Sequence, residues 1–368
     1  MSIFAKACLS AALSTLALRS SVSISQARVG PHPHAHALAG AAAPRFPPAA
    51  HALPVETLRS VGAIPAHIAG RFEDVTACQQ SASGDYFVFD RRSHSVFSVA
   101  AGFKQPPKTL VSVGVEPGRV LRPSAFDVAP DGTFAIADMP AGTPRVQIFL
   151  ENGARVAAFT LAASTAPLVT LHGVVVSGVA SLEYTGKTVL LNQPERGALV
   201  TELSSDGRPL RSVGTLRRTG HEQDRDVHIA LNTGRIVAAP GGGFYFVFLS
   251  GVPLFQKYDA AGDLVFERHI EGPELDDHLR QLPTTWPRRT ARGEFPLVMP
   301  SVRAAETDRD GNLWVSLIAP YTYVYDTAGE KRRTVEFRAA GIVSASGFFF
   351  TKGGRVLVTP GCYAFPLR

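Results

Sequence analysis

The chain has 368 residues, 45% of them hydrophobic, with 33 Gly, 27 Pro and a formal charge of +6. That length allows a large core, and the Gly and Pro content predicts many turns. A charge excess so mild and scattered argues against nucleic acid as a partner. No apolar run after residue 30 is long enough to predict a membrane span.

At the N-terminus, Lys6 precedes a short apolar run over 7–18 (ACLSAALSTLAL). Ser25-Gln26-Ala27 then sets small residues at a cleavage site. This pattern predicts a secretory signal peptide over 1–27, too short to span a bilayer. An unremarkable Ala-rich start, interrupted by Arg19, is the alternative. Cleavage after Ala27 removes Lys6 and Arg19 and no acid, so the formal charge falls from +6 to +4. It leaves Cys78 and Cys362 as the mature cysteines. The protein is expected in the periplasm or the medium, where thiols can pair. Residues 28–54 are dominated by Ala, Pro and His without apolar periodicity, and read as a disordered linker. His32, His34 and His36 alternate there. They would project from one side of an extended chain and offer metal ligands, or they simply reflect a biased linker.

From residue 55 one unit recurs. Its clearest copy is 123–161, PSAFDVAPDGTFAIADMPAGTPRVQIFLENGARVAAFTL. Four apolar runs are separated by Pro130-Asp131-Gly132, by 139–144 and by Glu151-Asn152-Gly153. Asp-Gly and Asn-Gly supply the positive φ that tight hairpins require, so the unit is a four-stranded antiparallel meander. First turns of the same kind fall at Ser83-Gly84, Asp131-Gly132, Thr185-Gly186, Gly241-Gly242, Asp310-Gly311 and Gly353-Gly354. They are spaced by 48, 54, 56, 69 and 43 residues. Repeats of roughly 40–50 residues are blade-sized, which predicts an all-β, six-bladed propeller over 55–368. The blades are expected at 72–113, 119–161, 173–216, 228–271, 301–338 and 341–367. The last holds only three strand-like runs. The spare N-terminal run 55–61 (VETLRSV) is therefore expected to complete it and close the ring. The segment 273–282 (PELDDHLRQL) reads as a helix within an insertion, 272–300, that accounts for the 69-residue interval.

The blade-two pattern, an apolar strand, Asp-Gly, an apolar strand ending in Ala-Asp, a loop, Arg-Val-Gln-Ile-Phe and Asn-Gly, resembles an NHL repeat. Blade five resembles it more loosely, and blades one, three and six lack the turn Asp and the Ala-Asp. The resemblance covers roughly 300 residues at blade level. It implies a six-bladed propeller of the NHL/TolB-like kind common among exported bacterial proteins. It implies no particular chemistry, because propellers host binding, scaffolding, lyase and lactonase functions alike.

Function is expected on the face formed by the inter-blade loops and the loops between second and third strands. Four stretches map there: 90–94, 193–197, 217–228 and the insertion. The segment 217–228 (RRTGHEQDRDVH) carries His221, Asp226 and His228, which are metal-ligand types without the spacing of a compact motif. We read it as a solvated charged loop, and alternatively as a calcium or zinc site. Arg122, Arg235 and Arg303 stand near the starts of three inner strands. With Arg91 and Arg92 they could ring the channel mouth and grip an oxyanion. Local pairing, for instance with Glu306 or Asp127, is the other reading. Trp286 and Tyr321 would stack on a ligand or anchor the insertion. Cys78 and Cys362 fall in neighbouring blades of a closed ring, so they either form a bridge across the closure or stay as two buried thiols. No nucleophile elbow, P-loop or dinucleotide fingerprint is present. The sequence therefore favours a binding or scaffold protein without cofactor, acting on a peptide, glycan or protein. A metal-dependent lyase or hydrolase at the channel mouth is the alternative.

Overall fold

A computed structural model describes residues 54–367 except 82, 163–168, 172–173, 176–178 and 287–294. The signal-peptide segment 1–27 and nearly all of the His-bearing linker 28–54 lie outside the described residues. Five four-stranded antiparallel meanders and one three-stranded meander follow one another along the chain. They begin at Val75–Gln80, Ala125–Val128, Ser181–Tyr184, Gly234–Ala238, Val302–Thr307 and Gly347–Phe350, which are the inner strands of blades one to six.

Six apolar clusters lie between the blades, one at each junction. Phe87, Phe89 and Val96 of blade one meet Phe134, Ile136 and Phe149 of blade two. Leu199 and Val213 of blade three meet Phe244, Phe246 and Phe248 of blade four. The last cluster joins Val88 and Val99 of blade one to Leu357 and Ala364 of blade six. Six junctions for six blades make a closed ring. The central strands are buried on both faces because each blade is covered from two sides. Phe134–Asp138 and Phe244–Phe248 are accordingly buried along their whole length. Each Phe or Leu so buried contributes about 1.5–3 kcal/mol.

The ring closes differently from the expected completion of blade six by a full strand. Val55–Arg59 runs parallel to the outer strand of blade five, Lys331–Arg338, with Glu56 ion-paired to Arg333 at 2.7 Å. Leu58 is buried in the cluster between blades five and six. The chain then reaches blade six at a single bridge. Val61 N–H donates to the Ala364 carbonyl at 2.8 Å, and Ala364 N–H to the Gly62 carbonyl at 2.8 Å. The outer strand of blade six, Tyr363–Pro366, has four residues and ends in a proline that cannot donate to a ladder. The eight-residue edge of blade five takes the strand instead. Cys78 and Cys362 are joined by a disulfide, Cα atoms 5.7 Å apart, across the junction of blades six and one.

Helix Pro273–Gln281 falls where the sequence places one, with Leu275 buried. A second helix, Arg225–Leu231, corrects the reading of 217–228 as a solvated loop at its last four residues, while 217–224 is irregular. Asp224 caps it by accepting from Val227 N–H, and Val227, Ile229, Ala230 and Leu231 are buried beneath it. The charged run 217–228 conceals this apolar face because three of the four buried residues, Ile229, Ala230 and Leu231, lie beyond His228.

Candidate functional site

Inner strands present an unpaired edge to the central channel, so their backbone groups need partners from neighbouring blades. Polar side chains on the inner strands supply several of them. In blade one, Gln79 Nε2 donates to Asp127 Oδ1 of blade two at 3.0 Å. Asp127 Oδ2 accepts from Tyr184 N–H of blade three at 2.8 Å. Glu183 accepts from the Ala238 backbone of blade four. Thr307 of blade five donates to the Ala238 carbonyl at 2.8 Å. These bonds hold Gln79, Asp127, Glu183 and Glu306 in one layer of the channel, towards the tight-turn face.

Three carboxylates in one confined layer perturb one another. Burial pushes Asp127 up to about 6, against the hydrogen bonds from Tyr184 and Gln79 that favour its charge. Burial, with the Asp127 charge beside it, pushes Glu306 up to about 8. Glu183 is raised well above the carboxylate range by burial and then by Asp127 and Glu306. The sequence singled out none of these three as a site. The signal was an acid at the third to fifth position of the inner strand, in blades two, three and five.

Nearer the loop face, the arginines separate into different roles. Arg91 pairs with Asp74, Nη2 to Oδ2 at 3.0 Å, and Arg92 approaches Glu73 at 3.6 Å. Arg122 is exposed, with positive φ, its backbone N–H facing His94 Nδ1 at 3.5 Å. Arg235 is half-buried in the channel, and its pKa is lowered by burial, opposed by Glu306 and reinforced by Arg91. Neither Arg235 nor Arg303 hydrogen-bonds or ion-pairs with any described side chain, and Arg303 Nε is sealed without a partner. Local pairing thus accounts for Arg91 but not for Arg235 or Arg303. One further arginine, Arg217, is structural. It donates to the carbonyls of Leu231, Val252 and Ser250 and lies 4.3 Å over the Phe248 ring.

The metal-ligand types in 217–228 point to different partners. His221 meets Trp286 edge-on at 5.0 Å, and His228 Nδ1 is 2.8 Å from Thr219 Oγ1. Asp226 is 3.5 Å from Arg225. Among the described residues no three His, Cys, Asp or Glu side chains converge in a metal-holding arrangement. Trp286 and Tyr321 are half-buried against the core between blades four and five. The insertion is docked beside them by Tyr323 Oη donating to Glu274 at 2.7 Å and by Lys331 Nζ, 3.6 Å from the same carboxylate.

Among the described residues twelve buried side-chain polar atoms lack a protein partner, and half of them lie on the loop face. Thr76 Oγ1, Ser93 Oγ, Gln193 Oε1, Ser250 Oγ, Arg303 Nε and Ser344 Oγ belong to five of the six blades, each at its loop end. Such atoms are normally satisfied by ordered water or a ligand.

No family model matches the chain, and no curated protein matches it. Among solved structures it is similar to a streptogramin B lyase, at 11% identity over 78% of this chain and 76% of that one, with a TM-score of 0.49. It is also similar to the WD40 β-propeller domain of Doa1, at 9% identity over 84% and 97%, TM-score 0.46. A third is a protein of unknown function from Bacteroides caccae, at 12% identity over 75% and 85%, TM-score 0.46. No helix among the described residues is long and apolar enough to cross a membrane.

Proposed function

We propose that this chain is an exported binding or scaffold propeller that takes a peptide, glycan or protein on its loop face. One observation carries the reading: six of the twelve buried polar atoms left without protein partners among the described residues sit at the loop ends of five blades. The opposite face is built from tight turns that satisfy themselves, as where Asp131 Oδ1 accepts both the backbone and the hydroxyl of Thr133. The NHL/TolB-like pattern of blade two, the leader-like N-terminus and the Cys78–Cys362 bridge support export.

The test is binding of the purified protein to glycan and peptide arrays, with charge-reversal variants on each face. Arg122→Glu and Arg196→Glu alter exposed loop-face positions, and Lys187→Glu alters an exposed turn-face position. Loss of a specific signal in the first two but not the third is expected. Loss confined to Lys187→Glu would place binding on the other face and end the proposal.

A further inference from the structure

We infer that Arg235 and Arg303 form an oxyanion-binding site in the mouth of the channel, taking a carboxylate, phosphate or sulfate group. This rests on the loop-face reading above and names the chemistry that the face recognises.

The register places the two side chains together. Thr307 Oγ1 donates to the Ala238 carbonyl, which fixes the inner strand of blade five against that of blade four. Four residues back along both strands, Arg303 stands beside Gly234 and Arg235. The strand bulges at this point, between Val302 and Ala304, so Arg303 is the extra residue released from regular pairing. Bulges commonly redirect a side chain in this way. Arg235 pairs in register with Val247, whose side chain lies in the core shared with blade five, so Arg235 leans towards that blade.

The chemistry then limits the ligand. A guanidinium offers five donors and no acceptor, and it binds planar or tetrahedral oxyanions through paired N–H bonds. Arg235 and Arg303 bond to no described residue, and Arg303 Nε has no contact with solvent. The nearest acidic influence on Arg235 is Glu306, which lies deeper, with Oε1 accepting from Thr307 N–H at 3.0 Å. Along the strand, Glu306 is three residues below Arg303, about 10 Å at the rise of an extended chain. The mouth is thus cationic, and the carboxyl layer beneath it disfavours further negative charge, so a charged group is held at the mouth.

The probes are inorganic sulfate, inorganic phosphate and acetate, titrated against the mature protein at constant ionic strength with chloride as the balancing ion. The readout is the melting temperature, with isothermal calorimetry alongside. Wild type should show a saturable rise for at least one oxyanion. Sulfate and phosphate acting alone indicate a tetrahedral ligand group, and acetate acting alone a carboxylate. Arg303→Gln and Arg235→Gln should each weaken the response at least tenfold. Arg303→Lys, which keeps the charge and loses the fork, should weaken it less. Arg155→Gln removes the same charge from an exposed outer-strand position and should leave the response unchanged. A response that does not saturate, or that falls equally in Arg155→Gln, overturns the site. If Arg235→Gln does not fold, the Arg303 pair still decides. Array binding that persists on the loop face while the anion response is absent would refute this site and leave the binding reading standing.

Discussion

Replacing Glu306 by Gln tests whether the channel layer holds its carboxylates against their own charge. In the unfolded chain Glu306 ionises near 4.5, whereas in the ring it keeps its proton until about 8. A raised carboxyl pKa means that the folded state binds the proton more tightly. Below pH 4.5 both states are protonated and the group is neutral in its effect. As the pH climbs from 4.5 towards 8 the unfolded chain gains a charge that the folded one resists, so stability falls across that window. At about 1.4 kcal/mol per pKa unit the loss is at most about 5 kcal/mol. Glu306 is only partly buried, which screens the effect, and we expect about 2 kcal/mol. An unfolding entropy of about 2.1 cal/mol/K per residue over roughly 310 residues gives about 0.65 kcal/mol/K, hence a shift of about 3 °C. Calorimetric melting of wild type and Glu306→Gln at pH 4.5 and pH 8 should give similar values at the lower pH. At the higher pH the variant should melt about 3 °C above wild type. A difference that does not change with pH, or a variant that melts lower at pH 8, refutes the reasoning.

Three further outcomes are expected. Asp138 is buried and receives Arg145 through two bonds, Nε at 2.8 Å and Nη2 at 3.0 Å, with Leu121 N–H at 3.0 Å. Asp138→Ala strands that guanidinium, and should cost about 3–5 kcal/mol and lower the melting temperature by about 5–8 °C. Reducing the Cys78–Cys362 bridge, or making Cys78→Ser, releases a loop spanning a sequence separation of 284. It should cost up to about 5 kcal/mol in melts with and without dithiothreitol, and an unchanged melt would show that the ring is closed by packing alone. Leu58→Ala empties a buried position between blades five and six, at a cost of about 2–5 kcal/mol, and limited proteolysis should then cut first at 55–62.

Much of the fold is legible because each blade carries its own local code. Asp131-Gly132, with Gly132 at φ 86°, and Asn152-Gly153, with Gly153 at φ 88°, encode hairpins whose strands are contiguous in sequence. The first joins Ala125–Val128 to Phe134–Asp138 and the second Arg145–Phe149 to Arg155–Thr160, where the apolar runs place them. Six repeats of such a unit need a closed ring to cover their faces, so the architecture follows from local signals alone. The arginines at the inner-strand entries and the two cysteines were also visible, as residue types at repeat positions.

The tertiary structure alone decided which long-range partners those residues meet. Both blades five and six offer a bare outer edge, and the destination of Val55–Arg59 was decided by how the ring brings those edges to the N-terminal segment, with the longer strand of blade five taking it. Helix Arg225–Leu231 formed because a capping Asp224 and a buried surface beneath it outweighed a charged composition. The carboxylate layer of Asp127, Glu183 and Glu306 comes from three blades between 127 and 306 in the chain, and only ring closure brings it together. Sequence by itself determined that this chain is a propeller, because meanders and turns are short-range. Which side chains share its channel was decided by packing, because those contacts cross from blade to blade.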